Sequence, residues 1–281
     1  MRTGYSLGTS SGIIDISTAN AGQGGVSGDI DLSTGTSSAG STGYINLETG
    51  LAVSGKGGYV HISVGAGDSG RGGEIALAAG ATSAASKTGG LISIVSGYSE
   101  SATSGYVQLR TANAGSKGDS GAVSFATGTT QRGTSGKISI TTGKARFGSG
   151  GNITMSVGIG DSGNGGDVAI VAGTTSAAGY SGGNIDMTAG MGSSEDRSNG
   201  GSGGHITISG GTSKGRHPWR DPGGNVTVSG GEAAASTGGS VRISTGTGKS
   251  SSSGTLILAT SNAGTKGTSG PLIFSTGTSS H

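Results

Sequence analysis

The sequence predicts an all-β fold: a single-stranded parallel β-solenoid, or β-helix, of about 17 turns of 15–16 residues with a thin, flattened cross-section. Three observations predict it. The octapeptide Gly136-Lys137-Ile138-Ser139-Ile140-Thr141-Thr142-Gly143 returns in kind as Gly28–Gly35 and as Gly151–Gly158. Inside it, two aliphatic residues stand at alternate positions, the period-2 pattern of a strand with one buried face. The glycine that opens it recurs every 15–17 residues over most of the chain, from Gly12 through Gly28, Gly43 and Gly58 to Gly270.

The strand of each turn is the alternating pair. Ile14/Ile16 begins the series, Ile30/Leu32, Val60/Ile62, Ile138/Ile140 and Ile206/Ile208 continue it, and Leu272/Phe274 ends it without a break. A unit of about 15 residues cannot bury its apolar side alone, so neighbouring turns are expected to stack. Stacked about 4.8 Å apart, they would form one aliphatic column in a rod of about 80 Å.

The other half of each turn has no second aliphatic pair. In Gly65-Ala66-Gly67-Asp68-Ser69-Gly70-Arg71-Gly72 the inward positions can hold only glycine, alanine or serine. The expected cross-section is therefore one aliphatic sheet against a Gly/Ser-rich wall, with glycine allowing tight corners and close backbones.

Length variations order the array. The 16-residue turns opened by Gly12, Gly105 and Gly254 carry Thr18-Ala19-Asn20, Thr111-Ala112-Asn113 and Thr260-Ser261-Asn262. Both 17-residue turns contain a matching insert, Ala81–Ala85 and Thr174–Ala178. The first two of the 16-residue turns and the two inserts share an offset of 93 residues, and the turn opened by Gly254 starts the pattern again. One continuous solenoid over residues 1–281 is thus expected, with a six-turn cassette 12–104 repeated at 105–197 and restarted at 254. Two longer turns interrupt it with inserted loops at 191–203 and 211–223.

Composition narrows the alternatives. The 281 residues include 65 glycines, with 4% aromatic and 11% charged residues, against averages of about 7% glycine and about 25% charge. Glycine without a triplet period excludes collagen. Disorder is disfavoured because the aliphatics are ordered along the sequence rather than scattered. A formal charge of +2 with dispersed lysine and arginine gives no basic stripe for nucleic acid. No apolar run approaches the roughly 18 residues of a membrane span, so no membrane insertion is expected. Zero cysteines exclude disulfides and thiolate metal sites. No secretion leader is read at the start, and Met1 running directly into repeat-like sequence is what a piece of a longer array would show.

The candidate recognition site is the insert Lys214–Pro222, which holds the only tryptophan. Its residues Arg216, His217, Trp219 and Arg220 combine cations with an aromatic, a set that suits sugar or protein contacts. The competing reading is a lateral flap. Asp15 and Asp31 would stack about 5 Å apart, close enough to suggest calcium, but a solvated acidic face explains them as well. Tyr44 and Tyr59 read as an exposed aromatic ladder. Gly160–Asp167 only faintly resembles calcium-binding nonapeptide repeats. The carboxylate clusters of pectin-lyase-like enzymes and a nucleophile elbow are missing. No catalytic residue, metal ligand or cofactor is therefore assigned, and the chain is not expected to be an enzyme.

The Gly-x-Ile-x-Ile-x-Thr-Gly units resemble the repetitive Gly/Ser/Thr-rich β-solenoids of cell-surface fibres and adhesins, filamentous-haemagglutinin-like proteins among them. The resemblance covers nearly the whole chain, but turns here are shorter and a second aliphatic strand is missing. It implies an extracellular or cell-surface structural element and carries over no functional residue. The expected function is a structural or adhesive segment of an extracellular fibre or surface layer, self-associating end to end into filaments, with a glycan or surface as possible partner. The alternative is an ice-binding or carbohydrate-binding face, built on rows such as Thr34-Gly35-Thr36 and Thr127-Gly128-Thr129 or on the loop around Trp219.

Overall fold

The structure, a computed structural model, describes residues 2–217 and 220–278. The chain divides into two compact units, Met1–Ser139 and Ile140–His281, and the division falls between Ser139 and Ile140 of one octapeptide. Each unit is a succession of extended segments joined by closed loops.

The extended segments keep the alternation that the sequence dictates. In the first unit Tyr59 is 88% exposed, while its neighbour Val60 falls to 57%. Val60, Ile62 and their counterparts lie on the shielded side, and Tyr44, Tyr59 and Tyr106 on the open one. The second unit repeats the arrangement with Ile153/Met155 and Val168/Ile170 on the shielded side.

Alternation does not produce a sheet. Among the described residues there is no helix and no strand, and no hydrophobic residue is buried. The β-solenoid, or β-helix, expected from the sequence is therefore not formed, and neither is its aliphatic column. Stacked ladders of Tyr44 on Tyr59 and of Asp15 on Asp31 presuppose that sheet and fall with it. The accessible surface is 28602 Å² for 26.5 kDa, where a compact globule of that mass would expose about 10,700 Å².

The backbone hydrogen bonds explain the difference. Among the described residues they close loops, and where they link one repeat to the next they do so singly, from an opening glycine to the end of the preceding octapeptide, and not as a ladder along two extended segments. The sequence also supplies one aliphatic row without a facing row, so little apolar area can be withdrawn from water. Against that stands an ordering cost of about 1–2 kcal/mol per residue, highest for glycine, in a chain with 65 glycines. Alternation predicted which side each residue faces. It did not supply the second layer that makes a fold.

The loops are closed at necks. The sixth residue after an opening glycine lies against the glycine that opens the next repeat, except at Gly270, whose β-carbon position has nothing within 4 Å. In the first unit Thr18, Thr34, Thr49 and Thr127 bring Cγ2 to within 3.3–3.5 Å of the β-carbon position of Gly28, Gly43, Gly58 and Gly136. Thr18 Oγ1 also donates to the carbonyl of Gly28 at 3.0 Å. In the second unit Thr142 touches Gly151 in the same way.

A second kind of neck forms where that sixth residue is small. Ala79, Ser96, Ala172, Ala189, Gly210 and Gly230 let the backbones meet, and the opening glycine N–H donates to the carbonyl of the preceding unit's seventh residue. Examples are Gly90 to Gly80 at 2.8 Å, Gly183 to Gly173 at 2.9 Å and Gly239 to Gly231 at 2.8 Å. Thr245 is the one large residue at such a neck, and there the Gly254 to Gly246 bond lengthens to 3.1 Å. Apart from Thr245, residue size at this one position separates side-chain from backbone closure.

Candidate functional site

The candidate loop starts from a backbone neck. Gly224 N–H donates to the carbonyl of Gly211 at 2.8 Å, which ties off the insert at its base. Within it the Ser213 hydroxyl accepts from Gly215 N–H at 3.2 Å. The Asp221 carboxylate reaches back across the loop and accepts from His217 N–H at 2.8 Å. Arg220 N–H donates to the His217 carbonyl at 3.4 Å. A β-carbon on Gly215 would collide with the Asp221 carboxylate, so the crossing requires glycine there.

Of the four residues singled out in the sequence, Arg216, His217 and Arg220 are exposed on this braced loop. Trp219, like Pro218, lies outside the described residues. The loop brings two guanidinium groups and an imidazole onto one short segment, a set that can bind anionic or hydroxyl-rich surfaces.

The neighbouring insert is braced by a carboxylate as well. Asp196 Oδ1 accepts from the N–H groups of Ser198 and Asn199, both at 2.8 Å. The Asn199 bond first and the Ser198 bond second hold its carboxyl below the ordinary value, because both favour the charged form. Gly201 N–H closes this insert onto the Ser194 carbonyl at 3.3 Å.

A recess of about 360 Å³ lies elsewhere, lined by Arg110, Thr111, Ala112 and Asn113. It contains none of the residues of the candidate loop. Among the described residues no group of three or more His, Cys, Asp or Glu could hold a metal ion. No helix among them is long and apolar enough to cross a membrane.

Threonines proposed as a flat outward array have another task. Thr34 and Thr127 rest Cγ2 on Gly43 and Gly136, and Thr245 rests Cβ on Gly254 at 3.5 Å. The Thr34 and Thr127 methyl groups thus lie at necks. Sequence reading missed this neck role, although the signal is plain: threonine, valine, alanine, serine or glycine always stands six residues after the opening glycine.

Comparison with protein-family models, with curated proteins and with solved structures returned no match.

Proposed function

We propose that the chain is a structural or adhesive repeat element of an extracellular fibre or surface layer, and that copies associate end to end. One observation carries this reading. The first aliphatic residue of each pair stays about half exposed, as at Ile30, Ile92, Ile153 and Ile206, and its partner is more exposed still, as at Leu32 and Met155. Exposed apolar positions repeated over hundreds of residues form an association surface. Extended backbone beside them offers further donors and acceptors to a partner. A second copy has the same period, and a net charge of +2 opposes its approach only weakly.

Electron microscopy of the purified chain across a concentration series tests the reading. Unbranched filaments that lengthen with concentration are expected. Particles that stay discrete at every concentration would overturn self-assembly.

A second reading is favoured by the braced loop that exposes Arg216, His217 and Arg220. It makes that loop a contact for an acidic glycan or an anionic surface. Retention on a heparin column, lost in the Arg216→Ala/Arg220→Ala double variant, is the expected outcome. Equal retention of both proteins removes this reading.

A further inference from the structure

We infer that Asn152 and Asn225 are acceptor sites for N-linked oligosaccharide. The inference rests on the extracellular reading above, because transfer takes place in a secretory compartment. Asn152-Ile153-Thr154 and Asn225-Val226-Thr227 are both Asn-x-Thr triplets without proline at the middle position, the acceptor pattern for this modification. Each triplet directly follows an opening glycine, so the two occupy the same place in the repeat.

The structure presents both triplets alike. Their residues are exposed and belong to no helix or strand. The middle residues Ile153 and Val226 lie on the shielded side, 56% and 54% exposed. Side chains alternate along extended backbone, so asparagine and threonine share the open side. No hydrogen bond among the described residues engages the carboxamide of Asn152 or Asn225, or the hydroxyl of Thr154 or Thr227. Each triplet projects from a fixed point. Thr142 touches Gly151 with Cγ2 at 3.4 Å from the β-carbon position, and Gly224 N–H is bonded to the Gly211 carbonyl.

The chemistry needs a lipid-diphosphate-linked oligosaccharide as donor. Asparagine Nδ2 forms a bond to the anomeric carbon, the anomeric C–O bond to the diphosphate breaks, and the lipid diphosphate leaves with the electron pair. One amide proton is lost. A glycan so placed stands on the side opposite the aliphatic row and leaves that row open to other copies.

The chain contains its own control. Asn184-Ile185-Asp186 sits at the equivalent position after Gly183, with the same exposed, extended setting, but carries a carboxylate where the acceptor hydroxyl must be. Asn184 is therefore not modified, and Asp186→Thr creates a third acceptor.

The test is translation of the full chain behind a cleavable heterologous leader in the presence of microsomes, with translocated chains identified by their protection from added protease. Protected wild-type chain should carry two glycans, removed by peptide N-glycosidase with conversion of Asn152 and Asn225 to aspartate. Asn152→Gln and Asn225→Gln should each remove one, and Asp186→Thr should add one. Protected chain with no glycosidase-sensitive shift overturns the proposal. So does a shift that survives the Asn152→Gln/Asn225→Gln double variant. Filament growth of unglycosylated chain decides the fibre reading separately, so the two can fail independently.

Discussion

Val64 fills the space over Gly73: a β-carbon placed on Gly73 would come to 2.6 Å from Val64 Cγ1. Val157 stands over Gly166 in the same way at 2.8 Å, 93 residues later. These are the tightest of the side-chain necks, and they need glycine because a valine methyl occupies the β-carbon position. Gly73→Ala should force the neck apart at an overpacking cost of about 1–3 kcal/mol. Arg71 lies in the loop that this neck closes, so trypsin cleavage after Arg71 should accelerate in the variant. Shortening the knob in Val64→Ala/Gly73→Ala should restore resistance. If the double variant is cut as fast as the single one, the contact does not hold the neck.

Backbone necks make a different prediction. Gly239 N–H donates to the Gly231 carbonyl at 2.8 Å, and a β-carbon on Gly239 would sit 2.8 Å from Gly231 N. Gly246, seven residues on, has nothing within 4 Å of that position. Loss of one such hydrogen bond is worth about 0.5–1.5 kcal/mol, up to roughly tenfold in protection. Gly239→Ala should therefore speed amide exchange at residue 239, while Gly246→Ala should leave it unchanged. Protection that survives Gly239→Ala would show that the pinch is not closed by this bond.

The sequence made the two sides of most extended segments legible, because the aliphatic positions alternate and exposure drops from Tyr59 to Val60 and from Leu91 to Ile92. The octapeptide boundaries and the inserts at Ser194 and Lys214 were legible for the same reason: glycine spacing marks them. The solenoid was inferred by treating a short apolar alternation as half of a buried pair of layers. Gly65–Gly72 offers no residue large enough to be the other half, and without it Ile62 and its counterparts stay in solvent. In the candidate loop, sequence identified the cations Arg216 and Arg220. It gave no hint of the Asp221 crossing to His217 N–H, which depends on backbone direction and not on residue pattern.

Acid should loosen the insert that Asp196 braces, at a pH below the ordinary carboxylate range. Asp196 accepts two backbone hydrogen bonds, and its carboxyl is lowered by them. A lowered native value means that the charged form supports the turn above the ordinary carboxylate range of about 4. That support is lost as pH falls through the lowered value. In an NMR titration the Ser198 and Asn199 amide signals should move with the Asp196 carboxyl, at a pH below the ordinary carboxylate range of about 4. Asp196→Ala should place both amides in their acid positions at neutral pH. Titration of Asp196 within the ordinary carboxylate range, with those amides unmoved, rules the brace out.

Ser86 and Gly179 occupy one turn position 93 residues apart, with φ of 61° and 79°. The turns around them match: Lys87 N–H donates to the Ala84 carbonyl at 3.3 Å, and Tyr180 N–H to that of Ala177 at 3.4 Å. Thr82 and Thr175 hydroxyls each accept from a backbone N–H two residues on, both at 3.2 Å. Positive φ at the third position of such a turn suits glycine, and a side chain there costs about 1–2 kcal/mol. Glycine's larger freedom in the unstructured chain takes back about 0.5–1 kcal/mol of any gain. Ser86→Gly should therefore tighten its turn modestly and Gly179→Ser should loosen the matching one. Trypsin cleavage after Lys87 reads the first change and should slow by up to about fivefold, the factor for 1 kcal/mol. Amide exchange at Tyr180 reads the second and should quicken by a similar factor. Slower cleavage in Ser86→Gly together with faster exchange in Gly179→Ser is the decisive outcome, since a general effect of glycine on chain flexibility would reverse both changes.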